Sequence, residues 1–177
     1  MTTTATELTE RTTVAPLLWS LDRDGSSVEF TVKTMWGLLP VHGRFDRFAG
    51  SYEVGPDGTT IELTIDADSI DTGNAKRDEH LRSSAFFDVD GHAQVHFRST
   101  SVHAVGDGKL YVAGNLEAAG ILVPLELTAT AQPAGDGLEV EATTTVDQRQ
   151  FGMSSGVLGM IRPPAKVHVK ALLKGNA

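Results

Sequence analysis

The 177-residue sequence contains no cysteine. That absence removes disulfides, thiolate nucleophiles and cysteine-based metal sites together. Aromatic residues make up only 6% of the chain, so any interior it encloses is walled mainly by aliphatic side chains of medium size. No apolar run approaches the roughly 20 residues that a helix needs to cross a bilayer. Basic residues are in the minority, and the formal net charge is -8. This balance argues against a nucleic-acid partner, which needs basic surface. It also repels anionic lipid headgroups and limits any membrane contact to transient encounters. Residues 1–16, rich in Thr, lack the basic start and apolar core of a secretory signal; they are expected to form a flexible tail on a cytoplasmic protein.

What is present is ordinary in bulk: 40% hydrophobic and 21% charged residues suit one soluble domain, expected over residues 17–177. The order is more informative. Apolar and polar residues alternate with period 2 again and again, the mark of half-buried strands. Val28, Phe30 and Val32 share one face; so do Val41, Gly43 and Phe45, and then Ile61, Leu63, Ile65 and Ala67. Val95, Phe97 and Ser99 follow, then Leu110, Val112, Gly114 and Leu116. Val123, Leu125, Leu127 and Ala129 make the sixth run, Val140, Ala142, Thr144 and Val146 the seventh, and Val167, Val169 and Ala171 the last. Turn sequences GPDG (Gly55 to Gly58) and GDG (Gly106 to Gly108, Gly135 to Gly137) punctuate the runs and favour antiparallel hairpins over a parallel sheet. The exception is the stretch from Asn74 to Ser83, which reads as one short helix. Asn74 is placed to cap it, Asp78 and Arg82 are spaced as an i, i+4 ion pair, and Leu81 is its one strongly apolar residue.

Eight strands with one apolar face each must bring those faces into a common interior. A sandwich and a closed barrel both satisfy this. In the barrel, medium side chains on eight strands can leave a lumen for a slender ligand.

Several constellations carry two readings each. Arg77, Asp78, Glu79, His80 and Arg82 either hold a polar head at a barrel mouth or tie the helix to strand ends by charged hydrogen bonds; Asp78 and Arg82 are expected mainly to fix the helix. His42, His96 and His168 fall on polar strand faces, and no metal-ligand spacing emerges. Asp66, Asp68 and Asp71 read as an acidic turn and not as a catalytic pair. No nucleophile elbow is present. The stretch from Phe151 to Arg162, with apolar Val157, Leu158, Met160 and Ile161, reads as a lid or as a packed or interface loop.

The pieces SSVEF (Ser26 to Phe30), GRFDRFAG (Gly43 to Gly50), IDADSIDTGNAKRDEHLRS (Ile65 to Ser83), FFDV (Phe86 to Val89), HFRSTSV (His96 to Val102) and FGM (Phe151 to Met153) occur in that order. Together they resemble the YceI-like polyisoprenoid-binding family from about Trp19 onward. The resemblance implies an all-β, antiparallel, eight-stranded lipocalin-like barrel, with the short helix closing one end. It also implies a non-catalytic protein without cofactor or metal, and a homodimer. The implied ligand is a long-chain isoprenoid lipid, a polyprenyl compound or an isoprenoid quinone, held in the lumen for storage, transport or shielding. Departures from the family pattern lie at Ala85, in GHAQVHF (Gly91 to Phe97) and in GNLEAAGILVPL (Gly114 to Leu125). Lumen candidates, chosen by face, are Phe30, Val32, Phe45, Leu63, Ile65, Phe97, Val112, Leu125 and Val140. Mouth candidates are His80, Arg82, Phe86, Phe87, Phe151 and Met153. The alternative is a filled barrel acting in stress response or protein interaction without a lipid; an enzyme acting on a bound lipid would need perturbed ionisable groups facing the lumen.

Overall fold

The structure, a computed structural model, describes residues 17–34, 39–153 and 161–175, with Ile161 and Arg162 as backbone alone. The tail expected over residues 1–16 and most of the apolar loop expected after Met153 lie outside the described residues.

Ten strands and one helix follow in the order β1 (Leu17–Thr34), β2 (Leu39–Phe45), β3 (Phe48–Gly55), β4 (Gly58–Asp66), β5 (Ile70–Asp71), α1 (Ala75–Arg82), β6 (Gln94–Gly106), β7 (Lys109–Ala118), β8 (Ile121–Ala134), β9 (Gly137–Val146) and β10 (Ile161–Gly175). Every neighbouring pair is antiparallel. The sheet runs β10-β9-β8-β7-β6-β4-β3-β1, and β1 pairs back onto β10 to close it. Closure removes the sheet edges that would otherwise invite aggregation. This is the eight-stranded antiparallel barrel expected from the alternation and the family resemblance.

The two surplus strands are continuations. β2 pairs with the second half of β1, Val28 to Thr34, while β3 pairs with the first, Leu17 to Ser20. The break between them is Asp46 and Arg47. In the same way β5 continues β4 past a 3₁₀ turn at Ala67–Ser69 and pairs with β2 at Arg44 and Phe45. Two stretches were not legible as strand. β1 begins at Leu17, well before the alternation that starts at Val28, because a bulge sets Arg23 to Ser26 against Ala171 alone and breaks the period. Ser26 secures that bulge: its hydroxyl donates to the Asp22 carbonyl (2.6 Å) and accepts from the Leu172 amide (2.9 Å). In β3, alternation through Phe48, Tyr52 and Val54 is interrupted by Gly50, whose missing side chain leaves a gap in the pattern.

The helix lies where the Asn74 to Ser83 run predicts. Asn74 is its N-cap and accepts from the Arg77 amide (3.0 Å). The expected Asp78–Arg82 ion pair does not form. Asp78, buried, accepts from the Thr72 amide (3.0 Å) and the Thr72 hydroxyl (2.5 Å). Arg82 donates from Nε to the Asp68 carbonyl and from Nη2 to the Ile70 carbonyl, both at 2.8 Å. Both side chains are therefore spent on backbone and hydroxyl partners across the strand-to-helix connection, which displace the Asp78–Arg82 pairing.

The helix, the turn after β9 and the tips where β2, β6, β8 and β10 begin all lie at one end of the barrel, here the mouth. The hairpin turns at Gly55 to Gly58, Gly106 to Lys109 and Ala134 to Gly137 lie at the opposite end.

Candidate functional site

Inward faces of all eight barrel strands line one cavity of about 280 Å³. Two buried clusters bound it. At the mouth, Val28, Phe45, Ile65, Ile70, Leu81, Phe86, Val95, Phe151 and Met153 pack together. Toward the hairpin end, Phe97, Leu110, Val112 and Ala129 form a second cluster against Tyr52 and Ile61. The two clusters pack the wall toward either end, and the inward side chains between them leave the bore unfilled.

Two glycines help keep it open. In the cross-strand ladder Gly43 faces Phe30, and a Cβ on Gly43 would sit against the Phe30 ring. A Cβ on Gly114 would lie 2.7 Å from the Phe97 ring. Each large ring therefore lies flat in a recess of the wall instead of projecting into the bore. Phe30 also stacks on Phe45 (centroids 5.6 Å apart), and Phe45 meets Phe87 edge to face (5.7 Å), which fixes the rings beneath the helix.

All nine lumen candidates, Phe30 to Val140, stand on the cavity wall. Of the mouth candidates, Phe86, Phe87, Phe151 and Met153 line it as well, whereas His80 and Arg82 do not. His80 stacks edge-on against Phe86 (5.1 Å) behind the wall, and Arg82 is consumed by the carbonyls named above. Two polar residues that strand periodicity passes over line the cavity instead: Arg77 on α1, and Gln148 at the start of a 3₁₀ turn, Gln148–Phe151. Arg77 belongs to the charged constellation that reads from the sequence either as holding a polar head or as fixing the helix; no sequence reading singles out Gln148. Gln148 follows Val146 at two residues' distance and continues the inward face past the strand end.

Other polar groups pointing inward are satisfied. The Ser99 hydroxyl accepts from the Ile61 amide (2.8 Å), and the Thr34 hydroxyl donates to the Leu39 carbonyl (2.6 Å). The arginine–carboxylate pairs of the acidic turn lie on the outside. Arg47 binds both Asp66 (3.1 Å) and Asp68, and Arg44 binds Asp46 and Asp71 (2.8 Å each); these carboxylates raise the pKa of both guanidinium groups. The acidic turn is accordingly neutralised by two arginines at the surface, half a barrel wall away from the lumen side chains. His42 shares a hydrogen bond with Thr31 (3.0 Å) and His168 with Thr143 (2.9 Å), both on the outer face. Among the described residues no three His, Asp or Glu side chains gather as a metal site.

A family model for the YceI-like domain matches residues 19–173. The chain belongs to the YceI family. UPF0312 proteins are among its relatives: one from Shewanella baltica is 33% identical over 162 residues, covering 85% of this chain and 81% of its own. Another, from Pseudomonas aeruginosa, is 32% identical over 166 residues, with 88% and 83% covered. Among solved structures, BcnA of Burkholderia cenocepacia superposes with a TM-score of 0.78 at 20% identity, covering 86% of this chain and 98% of its own. A polyisoprenoid-binding domain from Saccharophagus degradans, implicated in plant cell wall breakdown, superposes at 0.76 and 17% identity, with 90% and 99% covered. Other YceI members thus share the barrel at low sequence identity, consistent with a fold specified by alternation more than by particular side chains.

Proposed function

We propose that this YceI-family barrel binds the tail of a long-chain isoprenoid lipid, a polyprenyl compound or an isoprenoid quinone, for storage, transport or shielding, and performs no chemistry on it. The observation that carries the reading is the apolar cavity lined by all eight strands. A structural relative described as polyisoprenoid-binding supports it. Among the ionisable groups whose pKa values the fold displaces, Asp22 pairs with Lys174 and Glu139 with Lys170 on the outer surface, which favours a carrier over an enzyme.

The cavity size bounds the ligand. At about 280 Å³ the lumen has room for a slender chain and sets a finite length on the tail it can hold. Transfer from water would gain about 0.8 kcal/mol per methylene, or roughly 3–4 kcal/mol per unit. Several units would then approach the ceiling of about 18–21 kcal/mol for non-covalent binding. Water is the wrong reference, however, because such a lipid sits in a membrane where its tail is already dry. Exchange between bilayer and barrel leaves the hydrophobic terms nearly balanced, and fit, tail ordering and head contacts decide the outcome. Reversible uptake follows, together with retention through purification in water.

Mass spectrometry of an organic extract of the purified protein tests the proposal. A co-purifying isoprenoid is the expected result. Recovery of no lipid, from a protein whose interior also excludes an added hydrophobic dye, would refute it.

A further inference from the structure

We propose that the lumen reads a hydroxyl on its ligand, with Arg77 as the donor and Gln148 as the acceptor. The inference rests on the lipid-binding reading above and narrows it to isoprenoid alcohols, phenols and quinols.

Among the described residues, one buried side-chain oxygen or nitrogen lacks a hydrogen-bond partner: the Oε1 of Gln148. Buried polar atoms are paired in the great majority of cases, and an exception calls for a reason. Gln148 stands on the wall of an apolar cavity, so a guest in that cavity that carries a donor can supply the missing bond. Arg77 lines the same cavity. Its Nε donates to the Thr72 hydroxyl (2.8 Å) and its Nη2 to the Thr72 carbonyl (2.9 Å), which fixes the guanidinium plane. Its Nη1 makes no hydrogen bond, and no carboxylate pairs with it, among the described residues. The two groups share the mouth. Arg77 and Leu81 lie one turn apart on one helix face; Leu81 packs in the same cluster as Phe151 and Met153, and Gln148 opens the turn that carries Phe151.

A fixed donor and a bare acceptor on the wall of one cavity are together complementary to a group that accepts and donates at once. A hydroxyl does both: its oxygen accepts from Arg77 while its proton goes to Gln148 Oε1. An ether, a carbonyl or an oxidised quinone oxygen accepts from Arg77 but leaves Gln148 bare. A hydrocarbon satisfies neither. A site whose buried polar groups are left unpaired by an analogue rejects it strongly.

The test is displacement of a hydrophobic fluorescent probe from the delipidated full chain by three compounds of one tail: geranylgeraniol, its methyl ether and the matched hydrocarbon. The alcohol is expected to bind about tenfold more tightly than the ether, and the ether more tightly than the hydrocarbon. In Gln148→Met the alcohol and ether are expected to converge while both still exceed the hydrocarbon. In Arg77→Met both oxygenated compounds are expected to fall toward the hydrocarbon. Equal binding of alcohol and ether to the unmodified protein overturns the proposal and leaves the lipid-binding reading intact; this comparison needs no variant to fold. An alcohol preference that survives in Gln148→Met overturns it as well. Failure of all three compounds to displace the probe overturns both readings.

Discussion

Asp78 shows how much of the mouth depends on single side chains. Its buried carboxylate accepts from the amide and hydroxyl of Thr72, holding the chain where it turns from β5 into α1. Asp78→Ala removes two charge-assisted bonds and leaves the Thr72 amide without its partner. A loss of about 2–3 kcal/mol is expected by thermal or denaturant unfolding. Unchanged melting combined with lost ligand would instead assign Asp78 to the ligand. At this scale the sequence was readable where a rule is local and opaque where it is not. Asn74 was legible as a cap because capping acts within one turn. The partner of Asp78 was not, since the i+4 rule points to Arg82 while the fold brings Thr72 closer and offers Arg82 two carbonyls. Lumen residues such as Phe30 and Val140 followed from period 2, because an alternating strand leaves only one face for the interior. Arg77 and Gln148 lie beyond the ends of any alternating run, and their inward placement follows only from how the helix and the turn after β9 cover the mouth.

Among the elements, β1 carries the closure, since it pairs with β10 along both of its halves. Ser26 holds the bulge between those halves, and Ser26→Ala strips the Leu172 amide of its acceptor. An expected destabilisation of about 1–2 kcal/mol is measurable by denaturant titration. The same seam carries ion pairs. A hydrogen bond from Lys174 holds the Asp22 carboxyl below its ordinary range; between the neighbouring β9 and β10, Lys170, with Gln132, does the same for Glu139. For each carboxylate the folded pKa lies below the unfolded one. The stabilisation is therefore complete above about pH 4–4.5, the unfolded range, and is lost as pH falls through the folded value. Lys174 is shifted upward by Asp22; its contribution is complete below about pH 10.4 and is lost as pH rises through the folded value. All of these groups are exposed enough for salt to screen them. Melting temperature is expected to fall modestly below pH 4, and less so at high ionic strength; an acid transition indifferent to salt would exclude the seam pairs as its cause. Strand number was legible from the eight alternating runs. The extent of β1 and the existence of β3 were not, because a bulge shifts the period by several residues and an inward glycine erases one of its beats.

For the molecule as a whole, the lumen volume sets a length scale. Affinity in a series of isoprenoid alcohols is expected to rise with each unit until the lumen is filled and then to level, as further units must leave through the mouth. Displacement titration across the series checks this, and a steady rise through eight units would require a bore deeper than the one described. Barrel topology was legible in outline from alternation, turn residues and family resemblance together. Hollowness was not, since a well-packed sandwich of Val, Leu, Ile and Ala has nearly the same composition.

What separates an open tube from a plugged one here comes down to the hydrogen atoms at Gly43 and Gly114. Neither position has the positive φ that would demand glycine, but the two differ in what a methyl group would meet: the Phe30 ring at Gly43, and at Gly114 the backbone carbonyl oxygen of Arg98 (2.5 Å) as well as the Phe97 ring. The calibre of the pipe is consequently adjustable by one carbon: Gly43→Ala would tip the Phe30 ring inward like a throttle plate and shorten the cargo accepted, while the surrounding staves of the barrel stay as they are.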